Sequence, residues 1–263
     1  MTADAPPRTS LAIESLVFAG RLLTRWRRNP IVPIQGLIFP TFLLITYDLL
    51  VSESMTRITG ADNLYTLVPM CALAGGMFGA LGAGLTIPAE RDSGLLSRLW
   101  TFPVHRASAL TGRLLAEALR TLLGTILITA VGVALGFRFE GSWVAVIPFL
   151  LVPILVVIVF STIVTTVALM AGGSTLYTWL GMASVGLVFC SAGVAPLEML
   201  PSWLGQAIQL QPMSPTIESM RALAQGGPAL SPLLVTCAWL LGLVAVFGPL
   251  AIRGYRAAAE AGN

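Results

Sequence analysis

Residues 143–170 read WVAVIPFLLVPILVVIVFSTIVTTVALM, a run without a single Asp, Glu, Lys or Arg. A helix needs about 20 apolar residues to cross the hydrocarbon of a bilayer, so this run is long enough to span. The uncharged sequence extends further, from Glu140 to Glu198. It therefore has room for a second span over 175–194, joined to the first by the tight turn Ala171-Gly172-Gly173-Ser174. Four more charge-free intervals flank it: Arg28 to Asp48, Asp62 to Glu90, Arg120 to Arg138, and Arg221 to Arg253. Each fits one helix, since only closed hydrogen-bonded structure is tolerated in lipid. The expected fold is an all-α membrane protein with six transmembrane helices.

Composition agrees with that reading. Of 263 residues, 56% are hydrophobic and 10% charged, where a soluble domain carries roughly a quarter charged. Mean hydropathy is +0.86. All 15 basic residues are Arg. The absence of Lys excludes a Walker A loop, which needs a Lys against the β- and γ-phosphates, and excludes Schiff-base chemistry. Cys71, Cys190 and Cys237 each fall in an apolar interval without a CxxC pair. They read as small core residues, and with His105 as the single histidine no metal ligand set assembles. The N-terminal stretch has no signal-peptide cleavage pattern ahead of the first span.

Counting Arg sets the orientation, because cytoplasmic loops hold the excess of positive charge. With the N-terminus inside, Arg8, Arg21, Arg25, Arg27, Arg28, Arg91, Arg98, Arg106, Arg113, Arg120, Arg253 and Arg256 are cytoplasmic, while Arg57, Arg138 and Arg221 are outside. Both termini are then cytoplasmic. The whole chain, 1–263, reads as one transmembrane domain. Residues 1–30 form a cytoplasmic tail and an N-terminal amphipathic helix lying on the membrane, with Leu11, Ser15, Phe18, Leu22 and Trp26 on one stripe and Glu14, Arg21, Arg25 and Arg28 on another. The six spans occupy 31–252, and a cytoplasmic tail follows over 253–263. The segment from Ala89 to Arg120 is the richest in charge and is expected in water or headgroups. Within it Arg113, Glu117 and Arg120 are spaced for i,i+4 and i,i+3 pairing. The prolines of 196–228 punctuate two short patterns, Trp203 to Gln211 and Thr216 to Ala224, expected as extracellular re-entrant helices before the last span. The density of glycine at Gly75, Gly79 and Gly82 permits close helix contact and offers a subunit seam or path. Asp48, near the end of the first span, is a further candidate because an intramembrane acid is a functional candidate by default.

The cytoplasmic link between spans two and three reads Glu90-Arg91-Asp92-Ser93-Gly94-Leu95-Leu96-Ser97-Arg98-Leu99-Trp100-Thr101-Phe102-Pro103. It resembles the E-R-[ED]-x-G-x-L-x-x-L-x-x-x-P signature of type 2 ABC exporter permeases. The likeness covers nearly the whole chain and is greatest to the daunorubicin-resistance (Drr) family, in particular to the second permease of the mycobacterial envelope-lipid and drug exporters. It rests also on Leu22-Leu23-Thr24-Arg25-Trp26, on Pro103-Val104-His105-Arg106, and on Pro201-Ser202-Trp203 with Gln211-Pro212-Met213-Ser214. The resemblance implies that 89–106 holds a short coupling helix that docks on a separate P-loop ATPase through Glu90, Arg91, Asp92, Gly94, Leu95, Leu96, Arg98, Leu99 and Phe102. It further implies a plasma-membrane exporter of amphipathic drugs or phthiocerol dimycocerosate-like lipids. A second six-span permease would complete it, more readily as a heterodimer than a homodimer. The resemblance also implies that no cofactor binds this chain and that it is not itself an enzyme, ATP and Mg belonging to the partner ATPase, with no nucleic acid as partner. Two other readings stay open: an ion-gradient-driven carrier in which Asp48 titrates, and a type 2 ABC exporter of a polysaccharide. An intramembrane hydrolase lacks its histidine, since His105 lies in the cytoplasmic link.

Overall fold

The computed structural model describes residues 10–28, 31–59, 63–88, 108–170, 174–191 and 201–260. Those residues are helical throughout apart from short connections, and no strand occurs among them. In chain order the helices are α1 (Leu11–Arg28), α2 (Ile31–Thr59), α3 (Leu64–Gly84), α4 (Ser108–Leu135), α5 (Val146–Met170), α6 (Ser174–Phe189), α7 (Ser202–Leu210), α8 (Met213–Gln225) and α9 (Leu230–Glu260), with a 3-10 turn, Trp143–Ala145, leading into α5.

Local chemistry sets several of the ends. Ser10 caps α1, its Oγ accepting from the Ile13 amide at 3.4 Å, and Ser142 does the same for the turn before α5 by accepting from the Val144 amide. α8 stops at Gly226, whose φ of 72° is left-handed, a conformation glycine adopts without a Cβ penalty. The end of α4 is similar: Gly136 has φ 123°, and the next amide, of Phe137, donates to the Gly132 carbonyl at 2.9 Å. Pro40, Pro69, Pro153 and Pro249 sit inside helices α2, α3, α5 and α9. Such prolines are tolerated where neighbouring helices satisfy the freed carbonyls.

Among the described residues four stretches are long and apolar enough to cross a membrane: Leu64–Pro88, Ser108–Leu135, Trp143–Leu169 and Leu230–Gly254. Two shorter apolar stretches, Gly36–Leu50 in α2 and Trp179–Val188 in α6, accompany them. α3 is the centre of the bundle. It packs on α2, α4, α5, α6 and α8, and its Leu67, Val68, Met70, Leu73 and Met77 form the core with Ile128, Phe149, Val157 and Phe160. At one end of the bundle the core closes on aromatic rings. Tyr65 meets Phe137 at 5.2 Å between ring centroids, and Phe149 meets Phe139 edge-on at 5.7 Å. The Tyr65 hydroxyl donates to Glu140 Oε1 at 3.0 Å. The amides of Glu140 and Gly141 donate to the Ala224 carbonyl at 2.8 and 2.9 Å, tying the connection after α4 to the end of α8.

The two short helices expected near 203–224 are present as α7 and α8, and α8 is more deeply placed than an interfacial helix. Met213, Ile217, Met220 and Leu223 are buried, and α8 packs on α3, α5 and α9. Two expectations change. Cys190 and Cys237 are exposed, and only Cys71 is a core thiol, because α9 and the end of α6 lie at the edge of the bundle. On α1, Glu14 is buried with Ser15, Ala19 and Trp26, whereas its spacing assigned it to the polar stripe. The reason is that α1 does not lie free on a surface; one of its sides is packed on α4.

Candidate functional site

The residues expected to couple to a partner, Glu90, Arg91, Asp92, Gly94, Leu95, Leu96, Arg98, Leu99 and Phe102, lie outside the described residues. What the structure describes is the frame on which that segment is mounted: the end of α3 at Gly84–Pro88 and the start of α4 at Ser108. This foot of the α3–α4 pair is built from charged residues and glycines.

α2 and α3 cross almost backbone to backbone. A Cβ placed on Gly36 would come within 3.3 Å of the Gly75 carbonyl oxygen and the Gly79 Cα, and one on Gly75 within 2.8 Å of the Gly36 oxygen. Only a pair of glycines permits that approach. The groove left beside the crossing is filled by the guanidinium of Arg120 from α4, against which a Cβ on either Gly36 or Gly79 would collide. Arg120 Nη2 donates to the Gly76 carbonyl at 2.9 Å. Its Nε and Nη2 both donate to Glu117 Oε2, at 3.1 and 2.5 Å. Glu117 is 0% exposed and Arg120 6%.

One helical turn nearer the start of α4, Arg113 is also buried. Its Nη1 donates to the Ala83 carbonyl at 3.2 Å, where the negative end of the α3 dipole favours a cation. α1 closes the foot from the side. Ser15 Oγ and Thr111 Oγ1 are 2.6 Å apart, Gly112 admits the backbone of α1 at Ser15 and Ala19 and the Phe18 Cβ, and Trp26 is buried with Ala83 and Ala116. Four helices are thus keyed together within about four turns of the link between α3 and α4.

This arrangement corrects the expectation that everything from Ala89 to Arg120 is bathed in water or headgroups. Arg113, Glu117 and Arg120 are inside the bundle. A charge in such a place is costly unless paired and hydrogen-bonded. The i,i+3 partner supplies the countercharge, and the Gly76 and Ala83 carbonyls supply acceptors. Any signal lay on the other helices: Gly36 and Gly79 are the small residues that make room for a long buried side chain.

The other sequence candidates are placed as follows. Gly75 and Gly79 are buried at the α2–α3–α4 junction, and Gly82 is half-buried further along α3. Asp48 is half-buried in α2, beside the exposed Leu49 and Leu50. Among the described residues no group of His, Cys, Asp or Glu is arranged to hold a metal.

In this foot the two helices that leave a charged link are locked together, and comparison with known proteins decides the family. Residues 15–224 match the ABC-2 type transporter model. The chain belongs to the ABC-2 type transporter family. It is 36% identical over 246 residues to the probable doxorubicin resistance ABC transporter permease protein DrrC of Mycobacterium tuberculosis, covering 93% of this chain and 89% of that one. It is 24% identical over 254 residues to the daunorubicin resistance ABC transporter permease protein DrrB1 of Streptomyces coeruleorubidus, covering 96% and 89%. A putative transport permease of Cyanophora paradoxa, ycf38, is 26% identical over 213 residues, 80% of this chain and 73% of the relative. The resemblance to the Drr family read from the signature therefore holds across the chain. With its apolar helices, the chain is a multi-pass protein of the plasma membrane.

Proposed function

We propose that this ABC-2 type permease is the membrane half of an ATP-driven exporter, with six spans, a cytoplasmic ATPase as partner, and an amphipathic drug or envelope lipid as cargo. The shorter apolar stretches in α2 and α6, counted with the four full-length ones, support six spans. The chain contributes no ATP site, having no Lys for one; ATP and Mg are bound and used by the partner. A second permease of similar build, more readily a different chain than a copy, completes the pathway. The cargo class rests on relatives named for doxorubicin and daunorubicin resistance and on the likeness to envelope-lipid exporters.

The observation that carries this reading is the foot of α3 and α4. The segment 89–106 leaves α3 and enters α4, and these two helices are joined beneath it by Arg113 to the Ala83 carbonyl and by Arg120 to the Gly76 carbonyl. A displacement delivered to that segment is passed to both helices as one body, together with α1 and α2. ATP binding by the partner would rock this body and change the side to which the seam opens. Co-purification from native membranes followed by mass spectrometry tests the assembly: a P-loop ATPase and a six-span partner are expected. Charge reversal at Glu90 or Arg98 is expected to detach or uncouple the ATPase. Unchanged assembly and ATP-dependent efflux in both variants would remove the coupling assignment, and efflux that follows an ion gradient without an ATPase would establish a carrier instead.

A further inference from the structure

A cavity of about 150 Å³ lies between α3, α5, α6, α8 and α9. Its floor is made by buried apolar side chains, Met77, Val156, Phe160 and Met213. Three hydroxyls also line it, and each is already spent on its own helix. Ser184 donates to the Leu180 carbonyl, Thr216 to that of Pro212 and Thr236 to that of Pro232. No charged residue takes part. A cavity of this size without free polar groups stays dry and takes up a benzene-sized apolar group, because a water inside would need two or more polar partners.

Its depth identifies what surrounds it. Met77 falls near the middle of the apolar stretch Leu64–Pro88, Val156 near the middle of Trp143–Leu169, and Trp239 near the middle of Leu230–Gly254. The cavity therefore sits at the level where the solvent is acyl chain. The sides are formed by α6, which packs on α3 and α5, and by α9, which packs on α5 and α8. At the two edges Leu187 and Trp239 line the cavity and are themselves exposed, so it opens sideways between α6 and α9. We propose that this cavity is a binding site for a phospholipid acyl chain, taken laterally from the bilayer between α6 and α9. It asks nothing of the export reading beyond a membrane location, and its test needs no transport.

The test places the purified full-length protein in nanodiscs of phosphatidylethanolamine and phosphatidylglycerol containing a phospholipid with a mid-chain diazirine. After photolysis, adducts are located by mass spectrometry. Adducts are expected on the buried floor residues Met77, Phe160 and Met213 as well as on lipid-facing Leu241 and Val246 of α9. Ala183→Trp, at the α6 edge, and Ile163→Trp, in the wall, are expected to abolish the floor adducts and leave those at Leu241 and Val246. Adducts confined to exposed positions would overturn the proposal, as would floor adducts that survive both substitutions. Labelling of Met77 and Met213 by a water-borne carbene reagent would show a hydrated cavity and overturn it too. Loss of the floor adducts on adding a flat polycyclic aromatic amine, with the exposed adducts unchanged, would reassign the site to cargo.

Discussion

The apolar stretches that contain α3 and α9, Leu64–Pro88 and Leu230–Gly254, are each 25 residues long, and each can cross a bilayer. Their surroundings are opposite. The most apolar stretch of α3 is 72% buried within the protein, that of α9 only 6%. The difference lies in side-chain size rather than polarity. α3 carries Gly75, Gly76, Gly79, Gly82 and Gly84, and its neighbours come close at those positions, whereas α9 presents Leu234, Leu241, Val244 and Val246 outward. In lipid there is no hydrophobic force to choose between these helices, because the tails around them are as apolar as leucine. Close packing and interhelical hydrogen bonds choose instead. The helix richer in glycine becomes the centre, and the helix poorer in it becomes the wall.

The largest effect should come from taking away the countercharge that the small residues of α3 shelter. Glu117→Ala leaves the Arg120 guanidinium buried, donating to the Gly76 carbonyl without its countercharge, and removing one member of a buried pair costs about 3–5 kcal/mol. Thermal unfolding of the purified protein in detergent should show it as a large fall in midpoint. The double substitution Glu117→Leu with Arg120→Met removes both charges, and most of the lost stability should return, since an apolar pair of similar volume is often as stable as a buried ion pair. A double variant as unstable as the single one would mean that the pair is not the source of the cost.

The next effect tests the glycines themselves. At Gly79 a Cβ would fall on the Arg120 guanidinium. That group lies at the end of a flexible side chain, but it is held by Glu117 Oε2 and the Gly76 carbonyl, so moving aside breaks buried hydrogen bonds. Gly79→Ala is expected to destabilise by roughly 1–3 kcal/mol, in the range of overpacked cores. If the foot also transmits the push from the ATPase, Gly79→Ala should lower efflux further than its loss of stability explains. Efflux per folded molecule, measured in vesicles at a temperature well below the unfolding midpoint, separates the two.

How much of this could be read beforehand differs between the same two regions. The long apolar stretches Leu64–Pro88 and Trp143–Leu169 were legible because charge is excluded from them, within the gaps from Asp62 to Glu90 and from Glu140 to Glu198. The location of α7 and α8 was legible from proline punctuation. The interior of the foot was not, because Arg113, Glu117 and Arg120 continue a charged link and carry no mark distinguishing headgroup contact from burial. What decides their place is another helix: Gly36 on α2 and Gly79 on α3 leave a space that a guanidinium fills. The side chosen by α1 escaped for the same reason. Its own periodicity puts Glu14 with the arginines, while the contact of Ser15 with Thr111 and the gap at Gly112 turn that side inward. Pairwise packing is legible in a sequence only where both partners are read together.

The smallest effect is also the sharpest comparison, because it repeats one substitution in the opposite setting. Gly242 on α9 has no atom within 4 Å of where a Cβ would be, so Gly242→Ala meets nothing. It removes only the conformational freedom that glycine adds to the unfolded chain, and should stabilise by roughly 0.5–1 kcal/mol. Gly79→Ala gains the same backbone term and loses more to the collision. Two Gly→Ala changes in helices that can each cross a bilayer should therefore shift the unfolding midpoint in opposite directions. Equal shifts would mean that helix propensity governs both sites and that the α2–α3 crossing tolerates a methyl group. Opposite shifts would mean that α3 is held by contact between backbones, and that the apolar wall of α9 is free to face whatever chain or lipid lies beside it.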